Sequence, residues 1–94
     1  ASWTLQQVRE QRSLLQRELG QLGFSMPASQ SNFLLATVPA GINAADLYQG
    51  LKVAGILVRY FRIKSLENCL RISVGTADEN RKLLDILREL LHAS

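Results

Sequence analysis

Four cations fall within thirteen residues of this sequence, Arg59, Arg62, Lys64 and Arg71, opposed there only by Glu67. The rest of the chain is balanced, seven cations against seven anions, so this one segment carries the whole formal excess of +3. Eight of the eleven cations are arginine, whose planar fork recognises carboxylate or phosphate through paired hydrogen bonds. The chemistry on offer is the binding of an anion.

Groups for other chemistries are scarce. The single cysteine, Cys69, rules out an internal disulfide and a thiolate zinc site and makes a reducing, cytoplasmic location the expectation. Without a histidine beside it, a strand cysteine reads as a small hydrophobe rather than a nucleophile. The only histidine, His92, stands third from the end, where chains fray. Most Ser/His/Asp, Cys/His and metal-centred mechanisms are thereby excluded. Gly41, Gly50, Gly55 and Gly75 do not form a phosphate-cradling loop. No apolar run approaches the roughly 18–20 residues of a membrane span, and no signal-peptide core opens the chain, so no membrane is expected.

Ninety-four residues make one domain, residues 1–94, with a thin but adequate core. An apolar fraction of 47% with 20% charged residues argues against disorder. Thr4-Leu5-Gln6-Gln7 fits a capping box opening a helix. Leu5, Val8, Leu15, Leu19 and Leu22 form its apolar stripe, with Arg9, Glu10, Arg12, Arg17 and Glu18 off it. Gly20 and Gly23 end the helix, Gly23 as a left-handed cap. Trp3 precedes the cap and is placed for a staple-like contact.

A short strand is expected near Phe24, then a loop by composition through Met26-Pro27-Ala28-Ser29-Gln30-Ser31. Phe33–Val38 reads as a strand. Asn43 caps a second helix with Asp46 at its third position, Leu47, Tyr48 and Leu51 are its buried stripe, and Gly55 stops it. Ile56–Phe61 reads as a strand, Ser65–Asn68 as a turn and Cys69–Val74 as a third strand. Thr76-Ala77-Asp78-Glu79 is a second capping box, opening a last helix with Leu83, Leu84, Leu87, Leu90 and Leu91 inward. The order helix, strand, helix, strand, strand, helix predicts an α+β fold: a small, mostly antiparallel sheet with its helices packed on one face.

These elements position the cations. Alternation puts Leu70, Ile72 and Val74 on one face of the last strand and Cys69, Arg71 and Ser73 on the other. The aliphatic trio meets the helices, and Arg71 projects from the uncovered face. Taken alone, such an arginine is a solvated cation. A hairpin between the last two strands would bring Arg59 beside it, a repulsive pair that calls for an anion. A slipped register, or a salt bridge to Glu67, would separate or neutralise them, and sequence leaves the register open. Tyr60-Phe61 between Arg59 and Arg62 has the basic-aromatic interleaving of a single-strand nucleic-acid platform, though one of the two rings must face the core. Exposure of Leu57 and Phe61 on a bare face would drive self-association.

The run Cys69-Leu70-Arg71-Ile72-Ser73-Val74-Gly75-Thr76, followed by Asp78-Glu79-Asn80 and Leu83-Leu84, resembles the C-terminal segment of histidinol-phosphate aminotransferases, pyridoxal-phosphate enzymes of the aspartate-aminotransferase fold. Pro27-Ala28-Ser29-Gln30-Ser31-Asn32-Phe33-Leu34-Leu35 is similar to that family's "P-S-x-x-N-F" strand entry. Leu47-Tyr48-Gln49-Gly50-Leu51-Lys52 and Gly55-Ile56-Leu57-Val58-Arg59 are similar to its next helix and strand, in the same order. The resemblance runs over essentially the whole chain, and it is to the small C-terminal domain only.

It implies a large cofactor-binding domain absent from these residues. The Schiff-base lysine and phosphate cup would lie there, since Lys52, Lys64 and Lys82 do not sit in the family's cofactor-lysine context. A chain beginning Ala1-Ser2 without methionine fits tag removal or excision from something longer. The resemblance makes Arg71 the arginine for the anionic end of the substrate and Arg59 the second, phosphate-binding arginine, with Arg62 an alternative partner for the phosphate. It implies transfer of an amino group between glutamate and the imidazole-acetol phosphate/histidinol phosphate pair in histidine biosynthesis, by a full-length homodimer using pyridoxal phosphate. Relatives acting on threonine phosphate or aromatic amino acids share the strand arginine, and Val74-Gly75-Thr76 favours histidinol phosphate. The isolated chain is expected to be inactive, to bind no cofactor, and to take a small phosphate or carboxylate ligand. The competing class is a free-standing anion- or nucleic-acid-binding module. Confinement of the excess charge to one segment argues for a small anion and against nucleic acid.

Overall fold

Both capping boxes form, and they set where the long helices begin. In the computed structural model, which describes residues 4–27 and 32–93, α1 runs Leu5–Gln21. The Gln7 amide donates to Thr4 Oγ1 at 3.1 Å, while the Thr4 amide donates to Gln7 Oε1 at 2.9 Å. α3 runs Ala77–Ala93 and repeats the device: the Glu79 amide donates to Thr76 Oγ1 at 3.2 Å and the Thr76 amide to Glu79 Oε1 at 2.8 Å. Between them lie β1 (Phe33–Thr37), α2 (Ala44–Val53), β2 (Arg59–Tyr60), a single 3-10 turn at Lys64–Leu66, and β3 (Cys69–Ser73). Asn43 caps α2 by accepting from the Asp46 amide at 3.0 Å. Trp3 and the loop residues 28–31 lie outside the described residues.

The sheet is antiparallel in the order β1-β3-β2, so the last strand in sequence is the central one. Leu34 and Ala36 of β1 and Leu70 and Ile72 of β3 turn to the same side and are almost wholly buried. There they meet Leu15 and Leu19 of α1, Leu47 and Leu51 of α2, and Leu83, Leu84 and Leu87 of α3 in one cluster. Each buried leucine or isoleucine contributes about 1.5–3 kcal/mol by leaving water. All helices therefore cover one face, and the other presents Phe33, Leu35 and Thr37 beside Cys69, Arg71 and Ser73. The expected α+β architecture is the observed one. An isolated antiparallel bridge, Ser25 to Thr37, stands where a short strand near Phe24 was expected.

Three expectations need correction. Arg12, placed off the α1 stripe, is buried. The buried positions are Val8, Arg12, Leu15 and Leu19, and Leu5 is exposed. The seven-residue gap between Val8 and Leu15 contains a helix position facing inward, and Arg12 occupies it.

The strand read at Ile56–Phe61 is only Arg59–Tyr60. α2 ends in a Schellman turn: the Ile56 amide donates to the Leu51 carbonyl at 2.8 Å and the Gly55 amide to the Lys52 carbonyl at 3.0 Å, with Gly55 at φ +84°. That turn claims Ile56, so the chain reaches the sheet three residues later. α1 ends the same way at Gly23, φ +100°, with the Phe24 amide on the Leu19 carbonyl at 3.0 Å.

The third concerns exposure. Leu57 is 80% exposed, as anticipated, but Phe61 is half-buried.

Candidate anion-binding site

β3 is held on both sides, and its pairing fixes the register that sequence left open. Arg71 stands opposite Leu35 of β1 and opposite Arg59 of β2. The two arginines are thus direct cross-strand neighbours on the face away from the helices. Paired positions bring Cβ atoms to about 4.5–5.5 Å, and like charges so placed destabilise a sheet. The salt bridge to Glu67 considered from the sequence is not made. Among the described residues the ion pairs join Arg81 to Asp78 and Arg88 to Glu18 and Asp85, away from this pair.

Each guanidinium instead lies over an aromatic ring. The Arg71 Cζ is 5.2 Å from the centroid of Phe33. Phe33 pairs with Ser73, so it is the diagonal neighbour of Arg71 on the same face. The Arg59 Cζ is 5.6 Å from the centroid of Phe61, two residues along its own chain. Arg71 is half-buried and Arg59 exposed. Contact through the flat face of a guanidinium leaves its edge, with five N–H donors, free for an anion.

The other residues of the basic segment do not join the pair through the ladder. Arg62 and Lys64 are exposed, Arg62 just past β2 and Lys64 opening the 3-10 turn. Tyr60 packs into the core and stacks on Tyr48, ring centroids 5.8 Å apart and planes at 28°. The core-facing ring of the Tyr60-Phe61 pair is therefore Tyr60, so these two rings do not form a platform together beside the arginines. Cys69 is half-buried on the open face with its Sγ 3.5 Å from Thr37 Oγ1, its cross-strand partner.

Phe33 is the residue that sequence reading passed over as a site component, taking it only as the start of a strand. Its parity was the signal: with Leu34 and Ala36 inward, Phe33 must share the face of Arg71 once the register is known.

Beyond the sheet, the turn from β3 into α3 is tied by Asn80, only 2% exposed. Its side chain accepts from the Gly75 amide at 2.9 Å, donates to the Gly75 carbonyl at 2.9 Å, and donates to Gln11 Oε1 of α1 at 3.0 Å. Glu79, at the same turn, has its carboxyl held below the ordinary 4.5 by hydrogen bonds from Thr76, the backbone N–H first and the hydroxyl second. These contacts fix the end of the arginine-bearing strand.

A Schiff-base lysine works from a desolvated or cation-flanked pocket. Lys52, Lys64 and Lys82 are all exposed. Lys82 borders an open cleft with Ile56, Val58, Val74 and Glu79, and it too faces solvent. These residues do not fit pyridoxal phosphate, and no step of its chemistry can be built from them. No group of three or more metal-ligating side chains occurs among the described residues.

Comparison with known proteins gives this arrangement a context. The family model described as "Aminotransferase class I and II" matches residues 2–87. Histidinol-phosphate aminotransferase 1 of a Nostoc species is 49% identical over 86 residues, 92% of this chain and 24% of that protein. Histidinol-phosphate aminotransferase 1 of Oceanobacillus iheyensis is 44% identical over 91 residues, 97% of this chain and 25% of that protein. The chain spans about a quarter of the length of the curated relatives it matches. Among solved structures, the histidinol-phosphate aminotransferase from Clostridium acetobutylicum superposes with a TM-score of 0.81 at 20% identity, covering 93% of this chain and 27% of that one. That likeness shows the fold.

Proposed function

This chain belongs to the class I and II aminotransferase family, and we propose that it is the small, substrate-binding domain of a histidinol-phosphate aminotransferase. The observation that carries the reading is the pair Arg59 and Arg71, directly opposed across the open sheet face with no carboxylate partner among the described residues. Two guanidinium groups on neighbouring strands of one sheet face suit a phosphate, which offers three acceptor oxygens and up to two negative charges. Each charge-assisted contact contributes about 1.5–3 kcal/mol. An anion between the arginines would also offset their mutual repulsion.

On this reading Arg71, half-buried on the central strand, and Arg59, on the neighbouring edge strand, hold the phosphate or carboxylate end of the substrate. They orient the amino-bearing carbon; they exchange no protons, since guanidinium stays charged throughout. Pyridoxal phosphate, on which the family depends, supplies the electronic work of amino transfer. It is proposed to be held by a large domain that the relatives' greater length accommodates, closing over the face of Phe33, Leu35 and Arg71. The whole enzyme is proposed to act as a cytoplasmic homodimer, and the 94-residue chain alone to transfer no amino group.

The test is amino transfer by the whole enzyme with glutamate as one partner. Histidinol phosphate should be turned over, and histidinol, which lacks the phosphate, should lose most of kcat/KM. Arg71→Ala should erase that preference. An enzyme that handles histidinol as well as histidinol phosphate, or an Arg59→Ala/Arg71→Ala double variant that still discriminates between them, would overturn the assignment.

A further inference from the structure

Phe33, the first residue of β1, is 43% exposed on the open sheet face. There it lies under the guanidinium of Arg71. Phe61 stands in the same relation to Arg59. The two rings are on different sides of the arginine pair. Phe33 belongs to β1, beyond Arg71 from β2, whereas Phe61 continues the chain that leaves β2. Arg71 therefore leans toward β1, away from its cationic neighbour, and Arg59 leans along its own strand. The sheet face reads ring, cation, cation, ring.

We infer that Phe33 and Phe61 are positioning residues, which park the two guanidiniums apart by cation–π contact and present their N–H edges to one shared anion. The inference rests on the assignment of Arg59 and Arg71 as the anion-binding pair. Three physical points carry it. Two unopposed like charges on adjacent strands would otherwise scatter among rotamers directed away from each other and into solvent, and ordering them on binding costs affinity. A ring face attracts a guanidinium through its quadrupole without neutralising it, so the full charge remains for the ligand. A carboxylate in either ring's place would hold the arginine equally well and compete with the anion. An aliphatic side chain would do neither.

The arrangement makes the rings selective in their effect. They contribute nothing to catalysis once the ligand is seated and act on how readily it seats. Their removal should raise KM for the phosphorylated substrate and leave kcat almost unchanged, whereas a ring with an added hydroxyl should keep the function.

The experiment uses the whole enzyme with inorganic phosphate as the probe, its dissociation constant measured by calorimetry, alongside KM and kcat for the phosphorylated substrate. Phe33→Leu keeps apolar volume and removes the π face, and Phe33→Tyr keeps the face. Phe61→Leu is the independent second variant should the first fold poorly. Either Leu variant should weaken phosphate binding about two- to fivefold, the range expected of an exposed cation–π contact, with a matching rise in KM and no loss of kcat. Phe33→Tyr should bind like wild type. Leu variants that bind phosphate as wild type does would refute the inference, as would a Phe33→Tyr enzyme as weak as Phe33→Leu. Arg71→Ala separates this from the underlying assignment. If that variant binds phosphate normally, the anion site itself is wrong; if it loses phosphate while the Leu variants keep it, only the role of the rings is wrong.

Discussion

Replacing Arg71 with lysine keeps the charge on the open sheet face and removes only its shape. The net charge stays at +3 and the repulsion across to Arg59 is preserved, so whatever changes must come from geometry. Two contributions go. A lysine ammonium donates to an anion as a point charge and loses the second limb of a bidentate contact, about 1.5 kcal/mol. It also loses the planar contact with Phe33, 5.2 Å from ring centroid to Cζ, about 0.5 kcal/mol at a partly solvated site. Together these come to about 2 kcal/mol, roughly thirtyfold in kcat/KM. The assay is steady-state amino transfer by the whole enzyme with the phosphorylated substrate, at low and at high salt. Because the charge is conserved, the thirtyfold loss should persist when salt is raised, while wild type and variant weaken in parallel. A lysine variant within threefold of wild type would refute the reasoning, because it would mean that Arg71 acts as a solvated charge and nothing more.

Two further outcomes follow from the turn between β3 and α3. Asn80→Ala strands both backbone groups of Gly75 and the side chain of Gln11, and should cost about 2–3 kcal/mol, a fall in Tm of roughly 10–20 °C by calorimetry; a shift of only a degree or two would show that water replaces the lost partners. Glu79 gives the turn a pH dependence. Its carboxyl is lowered in the fold, so the folded state binds its proton less readily than the unfolded chain does. The stability it contributes is complete above the ordinary value of 4.5 and drains away as pH falls through the lowered one. Thermal melts from neutral pH down into acid should therefore decline less steeply below about pH 4.5 for Glu79→Gln than for wild type, and identical slopes would remove the Thr76 hydrogen bonds as the cause.

What could be read from the sequence was what the chain settles locally. Thr4 with Gln7, Asn43 with Asp46 and Thr76 with Glu79 each satisfy helix-end amides within three or four residues, so the helix starts are where the pattern puts them. The alternation of Leu70, Arg71 and Ile72 likewise needs only the pleat of one strand. Errors arose where a residue served two masters. Ile56 looks like a strand residue, but its amide closes α2 onto Leu51. Arg12 looks like a surface cation, yet its position faces the core. The pairing of Arg59 with Arg71 was one of the alternatives raised, and the sequence could not choose it: β2 contributes only Arg59 and Tyr60 to the ladder, too little pattern to exclude a slip. Recognising Phe33 as part of the site depended on that same register across the sheet.

β2 also decides how the two arginines differ as mechanical parts. Arg71 rides on a strand clamped along both edges, five register pairs to β1 and two to β2. Arg59 rides on the outermost strand, joined to the sheet by those two pairs and to the core by Tyr60 stacked on Tyr48. One of the two is paired along both edges of its strand and the other along one. If the pair binds an anion as proposed, such a grip would centre its load on Arg71 and leave Arg59 to adjust to anions of different size. On the proposed assignment, the breadth of ligand would depend on the brevity of the strand behind Arg59 as well as on the residues that touch the anion.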